Sequence, residues 1–216
     1  MSAAQTRLEV AIDVFEDKRQ RALIVPMLTA GELITAITKE FRSLPYLSDT
    51  PDVYSLRRAR DGTVLELAKP LGQQIKTGEH LILVEAEPPL PEGTQRPSKN
   101  AYLREEGTGN VYKLHWLPAV IGRLDGALPH NERIIVNLGS HPRGLRVSRR
   151  HAQLTEHNGR FYIEGLSQNP TMIKDAQGTL VSLNGRPVPL EHGQTILLEQ
   201  SQIAFKFIVR TEERSA

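Results

Sequence analysis

Between Gly139 and Arg160 the chain carries five arginines (Arg143, Arg146, Arg149, Arg150 and Arg160) against one acid, Glu156. A further guanidinium, Arg123, follows a glycine in Val120-Ile-Gly-Arg123, and Ser167, Asn169 and Thr171 add neutral donors in a third stretch. Guanidinium, hydroxyl and amide donors converging from separate loops suit a small dianion such as a phosphate. They suit nucleic acid less well, because no aromatic side chains interleave them as a stacking platform. The chain's net charge of +2 also argues against a general polyanion binder.

Other chemistries lack their residues. With no cysteine, thiolate catalysis, disulfides, iron–sulfur clusters and cysteine zinc sites are excluded. His115, His141 and His192 show no metal-ligand spacing, so neither a metal nor a cofactor is expected. Ser148 and His151 stand near each other. But the sequence holds no Gly-x-Ser-x-Gly elbow, no His-Glu-x-x-His and no Gly-x-x-x-x-Gly-Lys loop, so we read the protein as not an enzyme. No apolar run of 18 residues spans a membrane, and MSAAQTRLEV does not read as a secretory signal. The expected location is the cytoplasm.

These side chains need a scaffold. The 216 residues are 39% hydrophobic, enough for one large or two small folded domains. Residues 88–109 hold four of the 14 prolines and little apolar periodicity, so they read as a proline-rich linker. The expected division is a domain over 1–87, the linker, a second domain over 110–210, and a tail at 211–216. Of the 16 glycines, 11 lie from Gly107 onward. The second domain has short apolar runs between turn signals such as Asn158-Gly159, which predicts an all-β sandwich or barrel.

In the first domain Leu8, Val10, Ile12 and Val14 alternate with other residues as a half-buried strand. Ala22–Val25 is its partner across a hairpin at Glu16–Arg21. Thr29 and Glu32 make a capping box ahead of Leu33, Ile37, Phe41 and Leu44, one face of a helix stopped by Pro45. Strands at Tyr54–Ala59, Val64–Leu67 and Leu81–Val84 follow, the first two joined by Asp61-Gly62. This α+β order resembles the β-grasp of ubiquitin. It is similar in particular to the bacterial ubiquitin-like proteins found with type VII secretion systems, over Thr6–Glu87. The segment ends Val84-Glu-Ala-Glu and runs on into the chain, without the free Gly-Gly that conjugation needs. The resemblance therefore implies docking to a second protein.

The second domain resembles the forkhead-associated (FHA) domain over Val111–Val209. The motifs that carry the likeness are Gly122-Arg123, Ser148-Arg-Arg-His151, Asn169-Pro-Thr171 and Asn184-Gly185, in that order. The resemblance implies an 11-stranded sandwich with binding loops at one end, and recognition of phosphothreonine, the product of a Ser/Thr kinase, in a protein or peptide that is the kinase itself or its substrate. It implies phosphopeptide contacts from Arg123, Ser148, Arg149, Gln168, Asn169 and Thr171. Gly122, His151, Asn184 and Gly185 would be structural. Gln168 stands where the family often has a phosphate-contacting Thr. Residues 172–182 and the loop at 139–146 are longer than usual, the former expected as an extra hairpin at Gln177-Gly178. The implied protein is a signalling adaptor, cytoplasmic and open to recruitment to a membrane complex. A phosphate-independent scaffold in a secretion or cell-envelope complex is the alternative.

Overall fold

The computed structural model describes residues 7–210. The assigned tail at 211–216 and Thr6 lie outside the described residues. The chain forms two compact units, the first running to Glu87 and the second starting at Pro88.

The first unit is one helix on a four-stranded sheet. Strands β1 (Leu8–Val14) and β2 (Asp17–Ile24) form a hairpin. Its turn lies at Phe15-Glu16, with Phe15 at φ 55°, so it is tighter than the expected Glu16–Arg21 loop. Lys18 to Arg21 are exposed and carry no apolar signal, yet they belong to β2: Gln20 and Arg21 pair with Ile12 and Ala11, while Lys18 and Arg19 fall at a register shift where the Arg19 N–H donates to Asp13 Oδ1 (2.8 Å). Helix α1 (Ala30–Glu40) starts on the capping box: the Glu32 N–H donates to Thr29 Oγ1 (3.2 Å), and the Thr29 N–H donates to Glu32 Oε2 (2.8 Å). These bonds satisfy two donors that a helix start otherwise leaves open. Leu33, Ile34 and Ile37 enter the core. The helix ends at Phe41, before Pro45 is reached.

Strands β3 (Tyr54–Arg58) and β4 (Glu79–Glu85) complete the sheet in the order β2-β1-β4-β3. β1 and β4 pair in parallel at the centre; the two outer pairs are antiparallel. The strand expected at Val64–Leu67 is reduced to one bridge, Arg57 to Val64. Only Leu65 of that run is buried; Val64 and Leu67 face solvent, so the run lacks a continuous face to pack.

The second unit is a sandwich of 11 strands in two sheets. The strands are β5 (Ala101–Glu105), β6 (Val111–Lys113), β7 (Ala119–Gly122), β8 (Ile134–Asn137), β9 (Arg150–His157), β10 (Arg160–Gly165), β11 (Thr171–Lys174), β12 (Leu180–Ser182), β13 (Val188–Leu190), β14 (Thr195–Leu198) and β15 (Ile203–Val209). One sheet runs β13-β10-β9-β7-β8 and the other β12-β11-β14-β15-β5-β6. Their inner faces share one core that includes Ile121, Leu154, Phe161, Ile196, Phe205 and Phe207. Asn158 (φ 51°) and Gly159 (φ 72°) make the β9–β10 turn, the pair of left-handed residues that a two-residue hairpin requires. The hairpin expected from residues 172–182 is β11–β12, turning at Gly178 (φ 87°).

The linker expected at 88–109 is corrected. β5 lies inside that range, between β15 and β6, with Ala101, Tyr102 and Leu103 wholly buried. The proline-rich part is also tied down. Gln95 and Leu117 exchange backbone hydrogen bonds (2.9 and 2.8 Å), and the Arg96 guanidinium donates to the carbonyls of His115 and Pro88. Proline removes ladder donors only where it stands. The last proline of the stretch is Pro97, and the residues after Asn100 are free to form a strand.

Candidate functional site

The site is built where β7 crosses β9. These strands are antiparallel, but their register slips at Gly122: Ile121 pairs with Ala152 and Gly122 with Arg150, leaving His151 unmatched. A bulge of this kind re-aims the extra side chain, and here it buries the His151 imidazole completely. Gly122 has to be glycine, because a Cβ there would lie 2.2 Å from the Arg149 carbonyl oxygen. That close approach lets the Arg123 N–H donate to the same carbonyl (3.1 Å). Gly122 and His151 thus both belong to the geometry of this bulge.

His151 fixes the turn before β9. Its Nδ1 accepts the backbone N–H of Ser148 at 3.2 Å, so the neutral ring carries its proton on Nε2, toward the Pro170 backbone. Nε2 has no partner within ordinary hydrogen-bond geometry, which makes the Pro170 contact a weak one. Burial lowers the imidazole pKa from 6.5 to about 4, and the Pro170 backbone opposes only part of that shift. At neutral pH the ring is uncharged and holds Ser148 in place as an acceptor.

Arg123 Nε donates to the Val147 carbonyl at 2.6 Å. This bond holds the guanidinium beside the Val147–Ser148 turn while leaving both terminal nitrogens unbonded among the described residues. The Ser148 hydroxyl also has no partner among them. Arg149, next in sequence, is an exposed side chain whose Nε lies 2.7 Å from Asp125 Oδ2. Asn169 reaches the same end of the sandwich, its Nδ2 donating to the Arg146 carbonyl at 3.4 Å. Gln168 beside it is exposed. Arg123, Ser148, Arg149, Gln168 and Asn169 thus project from three loops that hydrogen-bond to one another.

Two expectations need correction. Thr171 was expected to touch ligand, but it is only 1% exposed, and its Oγ1 is buried without a hydrogen-bond partner. It starts β11, and its backbone carbonyl accepts the Leu183 N–H, so the side chain faces the core. Arg160 does not join the basic cluster either. It pairs with His157 across the far end of the β9–β10 hairpin, where it lines a separate groove of about 740 Å³ with Lys99, Phe161 and His192. Asn184 is exposed beyond β12, and Gly185 takes φ 66°, a turn position that suits glycine.

The structure also contains working residues that the sequence reading passed over. Arg150 is not a solvated charge. Its Nη1 donates to the carbonyls of Arg123 (3.3 Å) and Arg149 (3.0 Å), and its Nη2 to the Pro129 carbonyl (2.8 Å) and Asn131 Oδ1 (2.9 Å). It ties the Arg123 loop to β9. Asp125 both caps its own loop, accepting the Ala127 N–H (3.0 Å), and holds Arg149. His141, which had no expected role, lies 3.1 Å from Oε1 of the buried Glu105. Only the Asp-x-Ala spacing of an Asx turn was readable beforehand; the other contacts join residues distant in sequence.

Among the described residues no group of three or more His, Cys, Asp or Glu side chains is placed to hold a metal ion. No helix is long and apolar enough to cross a membrane.

No curated protein matches the chain. Among solved structures, Mycobacterium tuberculosis EmbR in complex with a low-affinity phosphopeptide is 24% identical, with 52% of this chain and 25% of that one covered and a TM-score of 0.39. The FHA domain of human APLF in complex with an XRCC1 bisphospho peptide is 23% identical, covering 50% of this chain and 97% of that one at a TM-score of 0.37. The ubiquitin of Caldiarchaeum subterraneum is 17% identical, covering 40% of this chain and 96% of that one at a TM-score of 0.28. The family model of the FHA domain matches residues 119–199. That match begins with the first residue of β7, ends one residue past β14 and encloses the whole three-loop site, so the second unit carries an FHA domain.

Proposed function

We propose that the protein is a non-catalytic signalling adaptor whose FHA domain binds phosphothreonine-containing protein segments. The observation that carries this reading is the Arg123–Ser148 pair. The 2.6 Å bond from Arg123 Nε to Val147 leaves a two-pronged guanidinium end beside a serine hydroxyl. A phosphate dianion could take charge-assisted bonds from both prongs and a further bond from Ser148 Oγ. Asn169 would bond the ligand's main chain and set its register, Arg149 would add charge, and Gln168 would reach in from its exposed position. No group in this arrangement is poised to break a bond: the buried His151 faces the Ser148 N–H, not its hydroxyl.

We read the first unit as a ubiquitin-like β-grasp domain that docks a second protein. The central parallel β1–β4 pair and the single capped helix support that reading. The likeness to bacterial secretion-associated ubiquitin-like proteins is the ground for proposing that the adaptor is recruited to a membrane complex.

The test is calorimetry with phosphothreonine peptides, their unphosphorylated forms, and the Arg123→Ala variant of the full chain. Losing the paired guanidinium should weaken binding by about 1.5–3 kcal/mol, roughly 10- to 100-fold. Equal affinity for phosphorylated and unphosphorylated peptides would instead establish the phosphate-independent scaffold.

A further inference from the structure

The loop from Leu138 to Val147, beside Ser148, is unusually well fastened for an exposed basic segment. Leu138 and Val147, its two ends, are buried in the sandwich core. Gly144 lies so close to the loop's own start that a Cβ there would fall 1.9 Å from the Leu138 carbonyl oxygen. His141 anchors the middle. Its Nδ1 accepts the Arg143 N–H at 3.0 Å, and its Nε2 lies 3.1 Å from Oε1 of Glu105, which is 1% exposed. On the other side, the Arg146 carbonyl accepts Asn169 Nδ2. Four separate contacts therefore fix the backbone that carries Arg143 and Arg146.

The two side chains on this fixed backbone are exposed. Neither guanidinium makes an ion pair or hydrogen bond among the described residues, whereas Arg123, Arg149 and Arg150 around them each have a protein acceptor. The acids nearby are engaged elsewhere: Asp125 holds Arg149, Glu105 faces His141, and Glu106 Oε1 accepts the Thr195 hydroxyl at 3.2 Å. The Arg143 guanidinium extends over the β5–β6 turn, where Gly107 offers no side chain to cover it; its Nη2 would be 3.8 Å from a Cβ built there. A backbone fastened by these contacts adds little ordering cost of its own to an anion contact, so the main entropy that binding must offset is the ordering of the two guanidinium side chains.

We infer that Arg143 and Arg146 form a second anion subsite, and that the ligand of this FHA domain is a phosphothreonine segment carrying a second anionic group nearby. This rests on the phosphothreonine reading of Arg123 and Ser148 and assigns the ligand class for that same site. The second group is a phosphate or a carboxylate. His141 and Glu105 are positioning residues for it, and Gly144 permits the fold of the loop.

The test compares three peptide series of one scaffold on the full-length protein: a single phosphothreonine, that phosphothreonine with a second phosphorylated residue at varied spacing, and the same with glutamate at the second position. Calorimetry is run at two salt concentrations on the wild type, on Arg143→Ala/Arg146→Ala, and on Arg123→Ala. At the best spacing the doubly anionic peptide should bind about tenfold tighter than the singly phosphorylated one, with a steeper salt dependence. The double variant should erase that gap while leaving the singly phosphorylated affinity within about twofold. Arg123→Ala should weaken every series. The glutamate and phosphate arms separate an acidic from a multiply phosphorylated partner. Equal affinity for the singly and doubly anionic peptides in the wild type overturns the second subsite alone, as does a gap that survives in the double variant. Failure of every phosphopeptide to bind overturns the phosphothreonine reading and this inference together.

Discussion

The buried His151 ring makes the stability of the FHA-bearing unit depend on pH. Its pKa is about 4 in the folded chain against a reference of 6.5. The folded state therefore disfavours the proton, and the unfolded chain binds more of it between those two values. Stability from this group is fully present above about pH 6.5, falls as the pH drops toward 4, and then levels off. A shift of this size corresponds to roughly 3 kcal/mol at most, since one pKa unit is worth about 1.4 kcal/mol. Between pH 7 and pH 5 the loss from His151 alone should be about 2 kcal/mol. The chain has one tryptophan. It is Trp116, packed against the sandwich core, so its fluorescence during urea unfolding reports on the second unit. The control is His151→Asn, whose side-chain oxygen can still accept the Ser148 N–H but does not titrate. The wild type should lose about 2 kcal/mol more than His151→Asn between pH 7 and pH 5. Should that variant not fold, the His151 ring resonances of the wild type give the same information, with a midpoint near pH 4. Parallel stability profiles, or a resonance that titrates near 6.5, would refute the argument that burial holds this ring neutral.

Two substitutions probe the site's framework. Gly122→Ala places a methyl group 2.2 Å from the Arg149 carbonyl oxygen; the strand crossing has to open, at a cost of about 3 kcal/mol or more in Trp116-monitored unfolding. A wild-type urea midpoint would show that the bulge yields easily. Thr171→Val removes a buried hydroxyl that has no partner, so unfolding should show a gain of about 1 kcal/mol with phosphopeptide affinity unchanged. A clear fall in affinity would restore Thr171 as a ligand contact.

The parts of the molecule that were legible in the sequence are those governed by neighbours along the chain. The Thr29–Glu32 box, the Asn158-Gly159 turn and each of the four FHA motifs taken singly involve residues a few positions apart, whose backbone demands show in their types. β5 was hidden because prolines dominated the composition of its window, although strand formation depends on the partners β15 and β6 that arrive from elsewhere in the sequence. Thr171 was misassigned for a related reason. A hydroxyl after Asn-Pro reads as a donor, and only the pairing of β11 with β14 decides that it faces inward. Arg160 counted toward a basic cluster by sequence distance, yet eight residues of β9 carry the chain from one end of the sandwich to the other before it appears.

The arginines themselves could not be ranked from sequence, because a guanidinium's role follows from which of its five N–H groups is already used. Arg150 spends both terminal nitrogens on four acceptors, so it retains no fork for a phosphate and works as a strut. Arg123 spends only Nε, which orients the fork and keeps it open. Arg149 gives Nε to a carboxylate that a ligand phosphate would have to outcompete. Arg143 and Arg146 spend nothing on protein acceptors among the described residues. A net charge of +2 over the whole chain is therefore a poor guide to the potential at this end of the sandwich. There, the N–H groups not spent on protein acceptors differ from one arginine to the next, and a total charge does not record that difference.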